Sequence, residues 1–225
     1  LEWWTRSEVT TREGGTLMPD TNLLLFVSAS LALIIVPGPD MIYVLTRGVS
    51  QGRSAGLVSA AGVCSGVLVH TAFAAVGLSA ILARSAAAFS VVKYAGAAYL
   101  VYLGIRAILD REKFAAHGRV ERAGLAIVFR QGVLSNVLNP KVALFFLAFL
   151  PQFVDPATGA TGLQMLAFGV AFTFMGLVVL SVVALFSGAL GEWLRSRPSF
   201  AGALRWLTGS VLVGLGLRLA FPERR

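Results

Sequence analysis

Asp40 follows Pro37-Gly38-Pro39 inside the apolar run IIVPGPDMIYVL (34–45). About 100 residues later, Lys141 follows Asn139-Pro140 in a second apolar run, LSNVLNPKVALFFLAFLPQF (134–153). Proline removes a backbone donor and collides with the preceding turn, so each cluster should interrupt a helix. A new helix starting at each proline leaves free N–H groups and a positive dipole end at the break. Two such ends facing one cavity would hold a carboxylate, and Asp40 or exposed carbonyls would meet an ammonium. This chemistry suits a zwitterionic amino acid, and Asp40 is equally suited to carrying a proton. Asp40, Lys141, Asn139 and Asn136 are therefore the candidate substrate-binding or coupling residues, Pro37, Gly38, Pro39 and Pro140 the helix-breaking ones, and His70 an accessory.

Plainer roles stand beside these. Asp40 could cap a helix starting at Met41, and Asn139 could cap one with Pro140 at its first position. Lys141 could neutralise Asp40 or stretch to the membrane surface. Asn136 could satisfy backbone in a re-entrant loop, and His70 could be a packing residue.

The elements that must position these residues follow from composition. The chain is 56% hydrophobic and 13% charged, with a mean hydropathy of +0.78. A soluble domain carries roughly a quarter charged residues, so the natural solvent here is lipid. In hydrocarbon, the backbone freed at a break is tolerated only against protein or a water-filled cavity, and an intramembrane carboxylate is a functional-site signal. The net charge of +8 lies in short gaps between apolar runs. It reads as topology signal, not as a nucleic-acid face. Cys64 is the sole cysteine, which excludes an internal disulfide or a CxxC redox pair. His70 and His117 lack ligand-like neighbours, so neither a metal nor a cofactor is expected.

Charge-free runs predict six spans, at about 22–46, 55–83, 87–109, 132–154, 162–190 and 199–220. The fold expected is an all-α integral membrane protein, its six helices arranged as two inverted three-helix halves with breaks at 37–40 and 136–141. Interrupted segments at matching places in two halves point to an inverted-repeat transporter with a midplane site. Residues 1–17 read as an extension ahead of the membrane domain (18–222), either upstream of a start at Met18 or non-native, and not as a signal peptide. Lys and Arg crowd the first, third and fifth gaps, which puts those gaps in the cytoplasm and the N-terminus outside. Small residues spaced as Gly52-x-x-x-Gly56, Gly62-x-x-x-Gly66 and Ser187-x-x-x-Gly191 allow close helix approach. That means tight intramolecular packing or, alternatively, a homodimer seam. Trp206, Tyr99 and Tyr102 are expected as interface anchors.

Three blocks, PGPDMIYVLTRGVSQGRSAGLVSAAGVCSG (37–66), YAGAAYLVYLGIRAI (94–108) and FRQGVLSNVLNPKVALFFLAFLPQFV (129–154), resemble the LysE/RhtB family of bacterial amino-acid exporters. Their order and spacing are similar over residues 18–220. The resemblance implies a multi-pass inner-membrane carrier that expels amino acids or related metabolites in exchange for protons. Its motif positions fall on Pro37, Gly38, Pro39, Asp40, Asn139, Pro140 and Lys141. The match is closer to the neutral, threonine/homoserine/leucine-like branch, and apart from Asp40 no midspan acid is present to pair with a cationic side chain.

The alternatives are an exporter of basic amino acids or another small metabolite and, from another class, a structural or assembly membrane protein. The last would not explain two matched breaks with charges. Thiol-disulfide transfer needs paired cysteines. Ser65 and His70 make no hydrolase site without an oxyanion motif, and filter repeats expected of a channel are lacking.

Overall fold

The computed structural model describes residues 20–78, 86–109, 121–155, 157, 159–196 and 198–221; the expected extension at 1–17 lies outside them. Among the described residues there are nine α-helices and no strand: α1 (Asp20–Ile35), α2 (Pro39–Gln51), α3 (Arg53–Phe73), α4 (Ala86–Leu109), α5 (Leu125–Val137), α6 (Pro140–Leu144), α7 (Thr161–Leu185), α8 (Ser187–Ser196) and α9 (Pro198–Ala220). A π-helical turn, Ala74–Leu78, continues α3. Another, Phe145–Phe149, continues α6 and passes into a 3-10 turn at Leu150–Phe153.

Four segments are long and apolar enough to cross a membrane alone: Arg53–Gly77, Ser90–Leu109, Thr161–Leu185 and Gly202–Ala220. Two more qualify as bent pairs, Leu23–Ile35 with Pro39–Gln51 at 51° and Leu125–Val137 with Pro140–Phe153 at 47°. Counting each pair as one span gives six, in an all-α membrane protein.

The breaks are narrower than expected. Only residues 36–38 and 138–139 leave the helix. Pro39 and Pro140 each open the following helix, where the missing N–H belongs to the unpaired first turn and the fixed φ already suits the helix. Asp40, Asn136 and Lys141 are consequently helical. The first-turn position of Asp40 also replaces the alternative of a cap at Met41, since the N-cap is Gly38.

Other boundaries shift for local reasons. The second bent span starts at Leu125 instead of 132, because Arg130 sits on the exposed side of a helix that continues past it. The fifth span stops at Leu185. Phe186 turns the chain, and Ser187–Ser196 forms a separate amphipathic helix. Of the second expected span, residues 79–83 lie outside the described residues.

Apolar packing falls into two clusters. The larger joins Phe26 and Leu33 of α1 to Phe145, Phe146, Phe149, Met165, Phe168 and Phe172. The smaller joins Val44 of α2, Ala60, Val63 and Cys64 of α3, and Leu180 and Ala184 of α7. Along α1–α2, α3 and α7 alike, the chain passes from one cluster to the other, and the breaks lie between them.

Glycines set the helix spacing. A Cβ on Gly62 would strike the backbone of Phe129, and one on Gly66 would lie 2.7 Å from Cβ of Asn136. Gly48 faces Ser187, and Gly191 faces Val49, so the Ser187-x-x-x-Gly191 spacing serves α8 against α2. These small residues pack within one chain. Helices α4 and α9 make a second close pair through Gly104, Gly209 and Gly216. Tyr99 and Tyr102 are exposed on α4, their rings 5.5 Å apart, and Trp206 is exposed on α9.

Candidate functional site

The two breaks brace each other. Asp40 is buried, 9% exposed, and its Oδ2 accepts from Nδ2 of Asn136 and Nδ2 of Asn139, both at 2.8 Å. Ser135 Oγ donates to Oδ1 at 3.3 Å. All three neighbours donate, and an ionised carboxylate is an acceptor only. The residue types therefore match without a second acid.

The converse contact runs the other way. Lys141 Nζ donates to the carbonyls of Leu33 (3.0 Å) and Val36 (2.9 Å), which the break leaves without helical partners. These lie at the negative end of α1, where a cation is favoured. The ammonium thus closes the end of a half-helix from the other half of the chain, a role the sequence reading had not offered it. Asn139 has two tasks: its Oδ1 accepts from the Lys141 backbone N–H at 3.0 Å, capping α6, while its amide nitrogen binds Asp40. The cap, the plainer of the two roles open to Asn139, is present, together with a tertiary bond.

His70 approaches the same place from α3. Its Nε2 lies 3.1 Å from the Asn136 carbonyl, and since a carbonyl only accepts, the bond needs the proton on Nε2. Its ring is 6.0 Å from that of Phe146. Asn136 Oδ1 is buried without a hydrogen-bond partner. Asn136 fits there because Gly66 has no side chain to occupy the space.

A cavity of about 220 Å³ opens beside the breaks. Residues of both breaks line it, among them Gly38, Pro140 and Lys141. Its far wall comes from the α4–α9 pair, with Leu103, Arg106 and Ala107 on one helix and Thr208 and Leu212 on the other. Positions 103, 106 and 107 fall on one helical face, as do 208 and 212.

Sequence reasoning passed over several of these residues. Ser135 was visible as a third polar residue ahead of Asn139-Pro140. Arg106 and Thr208 have no local signal, for only the fold turns them toward the breaks. Arg47, counted as a topology charge, is buried at 6% exposure. It donates to Gln131 Oε1 (2.7 Å), Gln51 Oε1 (2.6 Å) and the Glu121 carbonyl (3.0 Å), and lies 5.8 Å from the centre of the Tyr43 ring. Tyr43 OH in turn donates to the Val128 carbonyl at 2.7 Å. The spacing 43-47-51 placed these residues on one face of α2, and that was the available signal. Among the described residues, no group of three His, Cys, Asp or Glu is arranged to hold a metal.

Comparison with known proteins identifies a family and several relatives. The family model described as "LysE type translocator" matches residues 31–222. A Vibrio cholerae protein named "Uncharacterized membrane protein" is 32% identical over 197 residues, covering 88% of this chain and 95% of its own length. A Pseudomonas aeruginosa membrane protein is 31% identical over 205 residues, with 89% and 95% covered. A protein of Enterobacter sp. (strain 638) named "Leucine efflux protein" is 29% identical over 203 residues, with 88% and 95% covered. No solved structure matches.

Proposed function

Since the chain belongs to the LysE type translocator family, we propose that it is a secondary transporter exporting neutral amino acids of the leucine, threonine and homoserine type across the inner membrane, with protons as the coupling ion. The observation that carries this reading is the reciprocal bracing of two broken spans, Asp40 to Asn136 and Asn139, and Lys141 to Leu33 and Val36, with a cavity opening on both breaks. Broken helices around a cavity are how a membrane protein exposes backbone polarity to a solute without exposing it to lipid. The relative named for leucine efflux supports the neutral class. So does the wall of the cavity, which is apolar apart from a few polar groups and includes no Asp or Glu.

Asp40 is the one carboxylate within the spans as bounded here. That singles it out as the proton carrier. Protonation would take an acceptor from the amides of Asn136 and Asn139 and loosen the brace, linking the proton to movement of one half against the other. In the proposed orientation the N-terminus lies outside. The cavity, walled by the later turns of α4 and the first half of α9, then opens toward the cytoplasm, as an exporter awaiting substrate requires. Any homodimer would use a surface other than the glycines that already pack α3 against α5.

Uptake of labelled leucine, threonine and homoserine into inverted vesicles tests the reading, with and without an imposed proton gradient. Accumulation that needs the gradient and stops with Asp40→Ala is the expected result. Gradient-independent equilibration would remove the proton antiport, and no movement of any of the three would remove the substrate class.

A further inference from the structure

The cavity beside the breaks carries charge of one sign. Its two charged lining residues are Lys141 and Arg106, and Asp40 directs both oxygens to Ser135, Asn136 and Asn139. Lys141 has two of its three ammonium protons committed to Leu33 and Val36. The Asn139 side chain is occupied at both ends. Arg106, in contrast, has no hydrogen bond or ion pair among the described residues. Its guanidinium is a rigid fork of donors shaped for a carboxylate, and it stands on a wall that is apolar at Ile42, Leu103, Ala107 and Leu212 and polar at Thr208.

We propose that Arg106 anchors the carboxylate of the transported molecule, and that the cavity selects a short apolar monocarboxylate by that group and not by its ammonium. This deepens the export reading and rests on it. Of the acceptors that an ammonium would seek at the breaks, Asp40 has three donors and the Leu33 and Val36 carbonyls share Lys141, while the unpartnered Asn136 Oδ1 belongs to a residue that does not line the cavity. Thr208, which also lines the cavity, donates its Oγ proton to the Leu204 carbonyl at 2.8 Å. A volume of about 220 Å³ is room for on the order of seven waters, the bulk of one amino acid. Two consequences follow. A 2-oxo acid with the carbon skeleton of leucine binds as leucine does, and lysine, whose second ammonium finds no acid on the wall, does not.

The test is thermal unfolding of the full chain in detergent, titrated with leucine, 4-methyl-2-oxopentanoate and lysine, for the wild type, Arg106→Gln and Arg106→Lys. Without ligand the three proteins should unfold alike, because Arg106 has no partner to lose among the described residues. Leucine and the oxo acid should raise the wild-type midpoint. Arg106→Gln should need at least about tenfold more of either, the loss of one charge-assisted contact, and Arg106→Lys should recover part of the difference. Arg106→Gln answering at wild-type concentrations overturns the proposal. Lysine acting like leucine, or no probe shifting the wild type, does so as well. Binding is read without transport, so the two readings fail separately. Carboxylate shifts lost in Arg106→Gln while vesicles move nothing would end the export reading alone, and normal transport by Arg106→Gln would end the anchor alone.

Discussion

Lys141 and Val36, 105 residues apart, meet through a 2.9 Å hydrogen bond in which the side chain opening the second broken span closes the backbone ending the first. Asp40 and Asn136 return the contact in the opposite sense at 2.8 Å. The second half of the chain therefore supplies the donor that the first break's carbonyls need, and the first half supplies the carboxylate that holds the polar side chains beside the second break.

Lys141→Met should expose the cost of that arrangement. It strands the Leu33 and Val36 carbonyls, and hydrogen bonds to a charged donor contribute about 1.5–3 kcal/mol each. The melting midpoint in detergent should fall clearly, and vesicle uptake should drop by more than about tenfold. Lys141→Arg should rescue little, because the ammonium is confined: even a Cβ on Gly38 would lie 3.0 Å from Nζ. A Lys141→Met protein as stable as wild type would show that water replaces the ammonium at the end of α1.

Asp40→Asn should be damaging, but less so than Asp40→Ala. Three donors converge on the carboxylate, and an asparagine keeps its oxygen for the two amides by turning its NH₂ toward Ser135, whose hydroxyl accepts as well as donates, so that the charge assistance is what is lost. The Asn139 amide cannot flip to compensate, since its oxygen caps α6 through the Lys141 N–H. Denaturation midpoints should order wild type above Asp40→Asn, with Asp40→Ala well beneath it. Equal stability of wild type and Asp40→Asn would mean that the Asp40 site is looser than its geometry indicates.

Arg47 and Gln131 should behave as one unit. Arg47→Ala removes a buried guanidinium and leaves Gln131, Gln51 and the Glu121 carbonyl short of a donor. Gln131→Leu removes one acceptor and adds apolar surface. The double variant should be more stable than the sum of the singles requires, by about 0.5–3 kcal/mol of coupling. Strict additivity in a denaturation series would show that the network is broken by water.

Much of this fold was legible in the residues. Prolines inside apolar runs located both breaks, and the low charge content gave the solvent. Asn139 before Pro140 read correctly as a cap because capping is a local matter of neighbouring residues. What the sequence hid was tertiary. Whether Asp40 points into a cavity or into a knot of amides depends on helix rotation about the break, which no spacing within one segment sets. Arg47 looked like a surface charge because its partners lie 74 and 84 residues away. The extra helix α8 was concealed because Phe186 interrupts an apolar run without a proline or a charge to mark it.

The glycines supply the last prediction, one that separates packing within the chain from packing between copies. Gly62→Ala would drive a methyl into the Phe129 backbone, which cannot rotate away as a side chain can. The α3–α5 contact must then open, at about 1–3 kcal/mol. Gly214→Ala, on α9 with nothing within 4 Å of its added Cβ, should be neutral or slightly stabilising through the unfolded chain. Light scattering should give both variants the wild-type mass in detergent, with only Gly62→Ala losing thermal stability. If Gly62→Ala instead changed the mass and kept the melting midpoint, the small-residue stripe on α3 would be a seam between copies.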